Sequence, residues 1–245
     1  LKSIYYGIRE FISILINNIV MTQTIENVKL IKKFKNKVLL FNNGVSLSEF
    51  NHDKFLFNQI CKDYNIDPNI PSVVFVGNWE PWMNVEEILF SSFYIDNINL
   101  IIVGEGPKLI EYKKKYSNII FTGLLSHKKA ISIMMNSHIC ISPYSNHWIM
   151  KYKSSRKTLE YLASGRPIIV SDVVGKENFL IEGFNCISYN PGDSKNIVEK
   201  IRFLLDDENL CRQMAVNNKA LSKNFTWAKT FKDSKMIDII KDYNF

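Results

Sequence analysis

A doubly wound α/β fold is what this sequence predicts, and three observations predict it. Short β-branched runs alternate with helical segments along most of the chain, the order that builds parallel sheets. Two runs, Val73-Val74-Phe75-Val76 and Leu100-Ile101-Ile102-Val103, are apolar without alternation, as in strands covered on both faces. Gly stands at or beside the exit of several runs, as in Val76-Gly77, Val103-Gly104 and Thr122-Gly123. Ligands of open parallel sheets sit outside these carboxyl ends, where Gly allows close approach.

In order, the strand candidates are Asn18–Thr22, Lys37–Phe41, Ser72–Val76, Asn99–Val103, Asn118–Phe121, His138–Ser142, Pro167–Val170 and Cys186–Tyr189. Helical stretches are expected at Tyr5–Ile16, Asp53–Tyr64, Asn84–Ile95, Lys108–Tyr116, His127–Asn136, Lys157–Ser164, Lys195–Leu205 and Thr226–Tyr243. The last carries Trp227, Phe231, Met236, Ile239 and Ile240 on one stripe. Asn42-Asn43-Gly44 is a turn signal between the second strand and the helical stretch Asp53–Tyr64. The first 45 residues hold too few elements for a core of their own.

Composition excludes several classes. Apolar residues make up 46% of the 245, enough to offset the entropy of ordering, so disorder is excluded. Ten Gly and seven Pro exclude collagen-like and low-complexity chains. Cys61, Cys140, Cys186 and Cys211 form no Cys-x-x-Cys pair and have no His at ligand spacing. Free thiols of a reducing cytosol are therefore expected, without a disulfide or zinc framework. No apolar run reaches the ~20 residues that cross a bilayer, and Arg9, Glu10, Asn17 and Asn18 interrupt Ile8 to Met21. An opening at Leu1 reads as a fragment. The net charge of +7 favours anionic partners.

The richest stretch runs from Ser154-Ser155-Arg156-Lys157 through Glu160 to Ser164-Gly165-Arg166-Pro167. Ser154 or Ser155 suits a helix N-cap, and Gly165 with Pro167 closes the helix. Arg156 and Lys157 then fall in the first turn, where the macrodipole disfavours cations unless an anion is bound. The plainer alternative leaves both cations solvated, with Glu160 paired to one of them one turn on. His52, His127, His138 and His147 are read as solvated or capping, with His147 the one that follows a strand exit.

These pieces together resemble the retaining, nucleotide-sugar-dependent glycosyltransferases of family 4 (group 1). The resemblance is carried by Phe75-Val76-Gly77, Ile102-Val103-Gly104-Glu105-Gly106-Pro107, Ile120-Phe121-Thr122-Gly123-Leu124, Leu159-Glu160-Tyr161-Leu162-Ala163-Ser164-Gly165-Arg166-Pro167-Ile168-Ile169 and Ser171-Asp172. Phe41-Asn42-Asn43-Gly44-Val45 is similar to the turn that joins the family's two domains, and Phe225-Thr226-Trp227 to the start of its closing helix. The resemblance implies a GT-B C-terminal domain, a Rossmann-like parallel sheet with helices on both faces, plus a remnant of the N-terminal domain. Residues 1–45 would be the tail of an incomplete acceptor-side domain, 46–225 the donor-nucleotide domain and 226–245 a helix packing back towards the N-terminal part.

The site implied by the resemblance holds Gly77, Asn78, Gly104, Gly123, Leu124, Leu125, Ser154, Ser155, Arg156, Lys157 and Glu160. Glu160 would accept from the donor ribose, Leu124 and Leu125 would touch the base, and Ser154 to Lys157 would hold the diphosphate; Lys157 and Glu160 are the catalytic candidates. A family Glu expected at 152 is Tyr152 here. Trp79, Met83 and Asn84 stand where relatives carry cations, leaving Arg156, Lys157, Lys151 or Lys153 to supply the clamp.

The implied activity is transfer of a sugar from a UDP- or GDP-sugar to a glycan or lipid-linked acceptor, in surface polysaccharide or glycoconjugate synthesis, in the cytoplasm. No cofactor, metal or nucleic acid is expected. The alternative is a degenerate or split half that binds nucleotide for a partner. A nicotinamide fingerprint fails because Gly104-Glu105-Gly106 is followed by Leu109 instead of a third Gly. Tyr5–Ile16 and the basic run Lys29–Lys37 fit either a peripheral contact with the inner face of the membrane or, in the preferred reading, the wet side of a helix.

Overall fold

The computed structural model describes residues 12–34, 37–80, 82–174, 176–234 and 236. Two parallel ladders make up the sheet structure. β1 (Val20–Thr22) and β2 (Val38–Leu40) pair with Val20 opposite Val38, and α1 (Ile25–Ile31) connects them. The main sheet holds β3 (Ser72–Val76), β4 (Asn99–Val103), β5 (Ile119–Gly123), β6 (Ile139–Ser142), β7 (Ile168–Ser171) and β8 (Cys186–Tyr189). Its spatial order is β5-β4-β3-β6-β7-β8, parallel throughout. All eight strand candidates are present. The chain winds outward from β3 to β5 and then returns to lay β6 on the other side of β3. The crevice between β3 and β6 is therefore the point where the winding reverses, the usual ligand position in such sheets.

Helices cover both faces. They are α2 (Lys54–Tyr64), α3 (Val85–Ser91), α4 (Leu109–Lys115), α5 (His127–Asn136), α6 (Arg156–Ser164), α7 (Ser194–Asp206), α8 (Glu208–Ser222) and α9 (Trp227–Asp233). Val73, Val74, Phe75, Ile102, Ile139, Ile141, Ile168 and Ile169 are all fully buried, which is why these strands need no polar alternation.

Two departures from the expected elements have local causes. The helix expected at Asn84–Ile95 ends at Ser91, where the Ser91 and Ser92 hydroxyls donate to the carbonyls of Ile88 and Leu89; such back-bonding competes with further helix. The 15-residue α8 carries no apolar stripe in the sequence because Asn218 and Ser222 share its buried face with Met214. The buried Asn218 amide donates to the carbonyls of Arg166 and Asn185, so polar ties replace apolar contact there.

Residues 12–16 are helical, and 5–11 of the expected first helix lie outside the described residues. The same holds for 237–243 of the last helix, including Ile239 and Ile240. Val45 bridges Thr226, Val45 N donates to Phe225 O, and Phe41 meets Phe231 edge to face at 6.5 Å. Among the described residues no helix is long and apolar enough to cross a membrane.

Candidate functional site

The carboxyl ends of β3, β4 and β5 share a row of glycines. Gly77 N donates to Val103 O and Gly104 N to Gly123 O, each at 2.9 Å, which extends the ladder past the strands. Gly104 has φ +121, and a Cβ there would overlap Gly77 O. Its lack of a side chain is thus fixed by strand packing. Gly106 is similarly closed by the Trp79 ring, itself stacked on Tyr112 at 5.6 Å. Gly77 differs: a Cβ there would meet only side-chain atoms, the nearest being Lys157 Cδ and Nζ at 3.7 Å.

Lys157 therefore lies at the crevice between β3 and β6. Its Nζ stands 4.8 Å from the Phe75 ring centre and 5.5 Å from that of Tyr144, and it donates to Met83 Sδ at 3.4 Å. No carboxylate among the described residues pairs with it. Burial pushes the ammonium down to about 7, against the opposing charge of Glu177. The solvated alternative for this residue is overturned, because α6 is buried from Thr158 onward and Lys157 enters the protein beside it.

Glu177 was not legible as a site residue. It accepts from Thr158 Oγ1 at 2.9 Å and from Tyr144 OH at 3.1 Å, while its Oε2 is buried without a partner among the described residues. Burial raises its carboxyl, with its hydrogen bonds and Lys157 acting the other way. The available signal was position: Glu177 follows β7, a strand exit that carries no Gly at its end.

Ser154 lines one cavity, and Arg156 and Glu160 line another. One, of 480 Å³, is lined by Ser154, Lys151, Lys153 and Glu177 on the main-sheet side and by Thr24 and Asn43 on the other. Asn43 Nδ2 donates to both O and Oγ of Ser154 at 3.1 Å. Lys153 Nζ caps the Trp82 ring at 3.0 Å from its centre. Burial lowers its ammonium, against the charge of Glu80. The other cavity, of 180 Å³, contains Arg156, Glu160, His127 and Glu49. Arg156 Nε donates to Glu160 Oε1 at 3.1 Å, which is the i, i+4 pair of the plainer alternative.

The four residues assigned to one anion do not converge. Arg156 turns to Glu160, Lys157 to Gly77 and Ser154 to Asn43, while Ser155 sits at the N-cap with no side-chain capping bond. Asn78 and Leu124 are exposed, Leu125 is partly buried, and Glu105 Oε1 lies 3.9 Å from where a Cβ on Gly123 would stand. Tyr152, at the position of the expected Glu, is tied through its carbonyl to Asn27 Nδ2 at 3.0 Å.

Of the histidines, His147 caps a short 3-10 turn by accepting from Ile149 N at 3.3 Å, and His138 Nδ1 accepts from Ser72 N at 3.1 Å. His127 departs from a solvated or capping role: it stands between the carboxylates of Glu49 and Glu160. Sequence reasoning missed Glu49 because the contact spans unrelated elements.

Comparison with known proteins gives the family. The sequence profile of the family "Glycosyl transferases group 1" matches residues 70–207, which include the glycine row, α6 and Glu177. An uncharacterised glycosyltransferase of Methanocaldococcus jannaschii is 32% identical over 177 residues, covering 66% of this chain and 43% of its own length. A second from the same organism is 26% identical over 203 residues, covering 81% and 52%. The chain thus spans about half the length of the curated relatives it matches. The solved structure of Anabaena HepE in complex with UDP-glucose superposes with a TM-score of 0.75 at 13% identity, over 90% of this chain and 63% of that one, a shared GT-B fold. A parallel sheet wound outward from its centre, a cation held at its reversal point and a profile match across more than half of the residues lead to one assignment: the chain belongs to the group 1 glycosyltransferases.

Proposed function

We propose that this chain is the donor-binding part of a glycosyltransferase that moves a sugar from a UDP- or GDP-sugar to a glycan or lipid-linked acceptor. The observation that carries this is the Lys157 ammonium, enclosed by Phe75, Met83 and Tyr144 under Gly77 with no carboxylate partner among the described residues. A desolvated cation without a counter-ion is costly, and a bound diphosphate would supply one. The α6 N-terminus beside it adds free N–H groups for the same anion. HepE, solved with UDP-glucose, supports the class of ligand.

In this reading the bond from the anomeric carbon to the diphosphate oxygen breaks, and the acceptor oxygen takes its place on that carbon. The acceptor's proton passes to the departing diphosphate. Lys157 and the helix N-terminus stabilise the charge that develops there, by fixed electrostatics, with protein cations in place of a metal. Glu160 binds the ribose, and Ser154, Lys151 and Lys153 face the transferred sugar across the larger cavity. Retention of configuration follows from the family resemblance, as do work in surface polysaccharide or glycoconjugate synthesis and a cytoplasmic site.

A thermal-shift screen against UDP, GDP, ADP and their sugar conjugates tests the reading, since a ligand of the native state raises its melting temperature. UDP or GDP should raise it, and Lys157→Ala should weaken that binding about tenfold or more, the scale of a lost charged hydrogen bond. No stabilisation by any of the three nucleotides would overturn the assignment.

A further inference from the structure

We infer that His127, anchored by Glu49, is a positioning residue that sets the Glu160 carboxylate for the ribose of a nucleoside diphosphate. The inference rests on the donor-binding reading above. His127 Nδ1 stands 2.9 Å from Glu49 Oε2, and Nε2 stands 3.0 Å from Glu160 Oε1. The ring thus spans a buried acid on α6, with Glu160 8% exposed, and an acid on the 3-10 turn Leu47–Glu49 that follows Val45.

The second donor to Glu160 is Arg156 Nε, which reaches the same Oε1. Two donors therefore converge on one oxygen, and Oε2 carries no hydrogen bond from the described residues. A carboxylate fixed in this way keeps its plane and offers one unpaired oxygen, which suits it to accept from a vicinal diol. The pair borders the 180 Å³ cavity that Gly44 and Trp227 close from the other side. Glu49 thereby links the turn leading into the main sheet to the ribose-binding acid. Lys128, next to His127, is occupied by Asp53 at 3.1 Å and does not compete for either acid.

The test compares UDP and GDP with their 2′,3′-dideoxy forms by calorimetry on the 245-residue chain and on His127→Ala and Glu49→Gln. The unmodified chain should prefer the ribo form by about tenfold, the scale of a hydrogen bond to a charged acceptor. His127→Ala should lose that preference and leave dideoxy affinity within about twofold, since the diphosphate contacts through Lys157 are untouched. Glu49→Gln should reduce the preference partway. A His127→Ala protein that keeps the full preference overturns the inference, as does one that loses both forms equally, because that marks a purely structural role. An unmodified chain that binds neither nucleotide overturns the donor-binding reading itself; one that binds both forms equally leaves that reading standing and overturns the role given to Glu160 and His127.

Discussion

Lys157 shows how one residue can be invisible in kind yet visible in position. The sequence places it in the first turn of a helix; only the fold puts Phe75, Tyr144 and Met83 around its ammonium. With burial pushing its pKa down to about 7 inside the protein against about 10.4 for an exposed lysine, the unfolded chain holds the extra proton between those values. Stability should therefore rise with pH across that window. The urea midpoint is expected to increase between pH 7 and pH 9, and Lys157→Met should flatten the increase. The same proton governs binding: diphosphate affinity should fall up to about fivefold from pH 7 to pH 8 as the site loses its charge. Lys157→Arg should remove most of that dependence, because guanidinium stays protonated; calorimetry at the two pH values reads the difference.

At the scale of elements, the glycines sort by what surrounds them. Gly165, the C-cap of α6, has φ +67, and a Cβ would meet Lys219 Cε at 2.5 Å, the far end of a flexible chain. Gly183 has φ +73 and nothing near it. Ala at Gly183 should cost about 1 kcal/mol, the penalty of a left-handed conformation. Gly104 faces a carbonyl that cannot move without parting β3 from β4. Gly104→Ala should cost ~3 kcal/mol or more and abolish nucleotide binding, because the row of strand exits would spread. Urea denaturation of the two variants measures the contrast. α6 follows the same logic: it is buried from Thr158 to Ser164, while Arg156 in its first turn is exposed.

Across the whole molecule, the candidate site lies where the winding reverses between β3 and β6 and beside the turn that joins the small ladder to the main sheet. That turn is held at Asn43, bonded twice to Ser154, and at Gly44, pressed on Trp227. Asn43→Ala removes both bonds to Ser154 at once. Local opening should then become easier, and proteolysis within residues 41–46 is expected to accelerate several-fold while global stability changes by about 1 kcal/mol. Equal cleavage in both proteins would show that the turn is held elsewhere.

The sequence alone determined the eight strands, the parallel winding and the helix that starts at Arg156, because apolar runs, turn residues and caps act over a few neighbours. It also put Lys157 and Glu160 on one helix, since caps and turn residues mark its ends without a fold. It did not reveal α8, whose buried Asn218 and Ser222 break the apolar pattern, nor the end of α3 at its two serines. Only the tertiary structure set Glu177 beside Tyr144 and Thr158 and placed His127 between two acids. Those relations join residues 19 to 78 positions apart, where the direction of a side chain depends on which elements pack together, a quantity that local pattern does not encode.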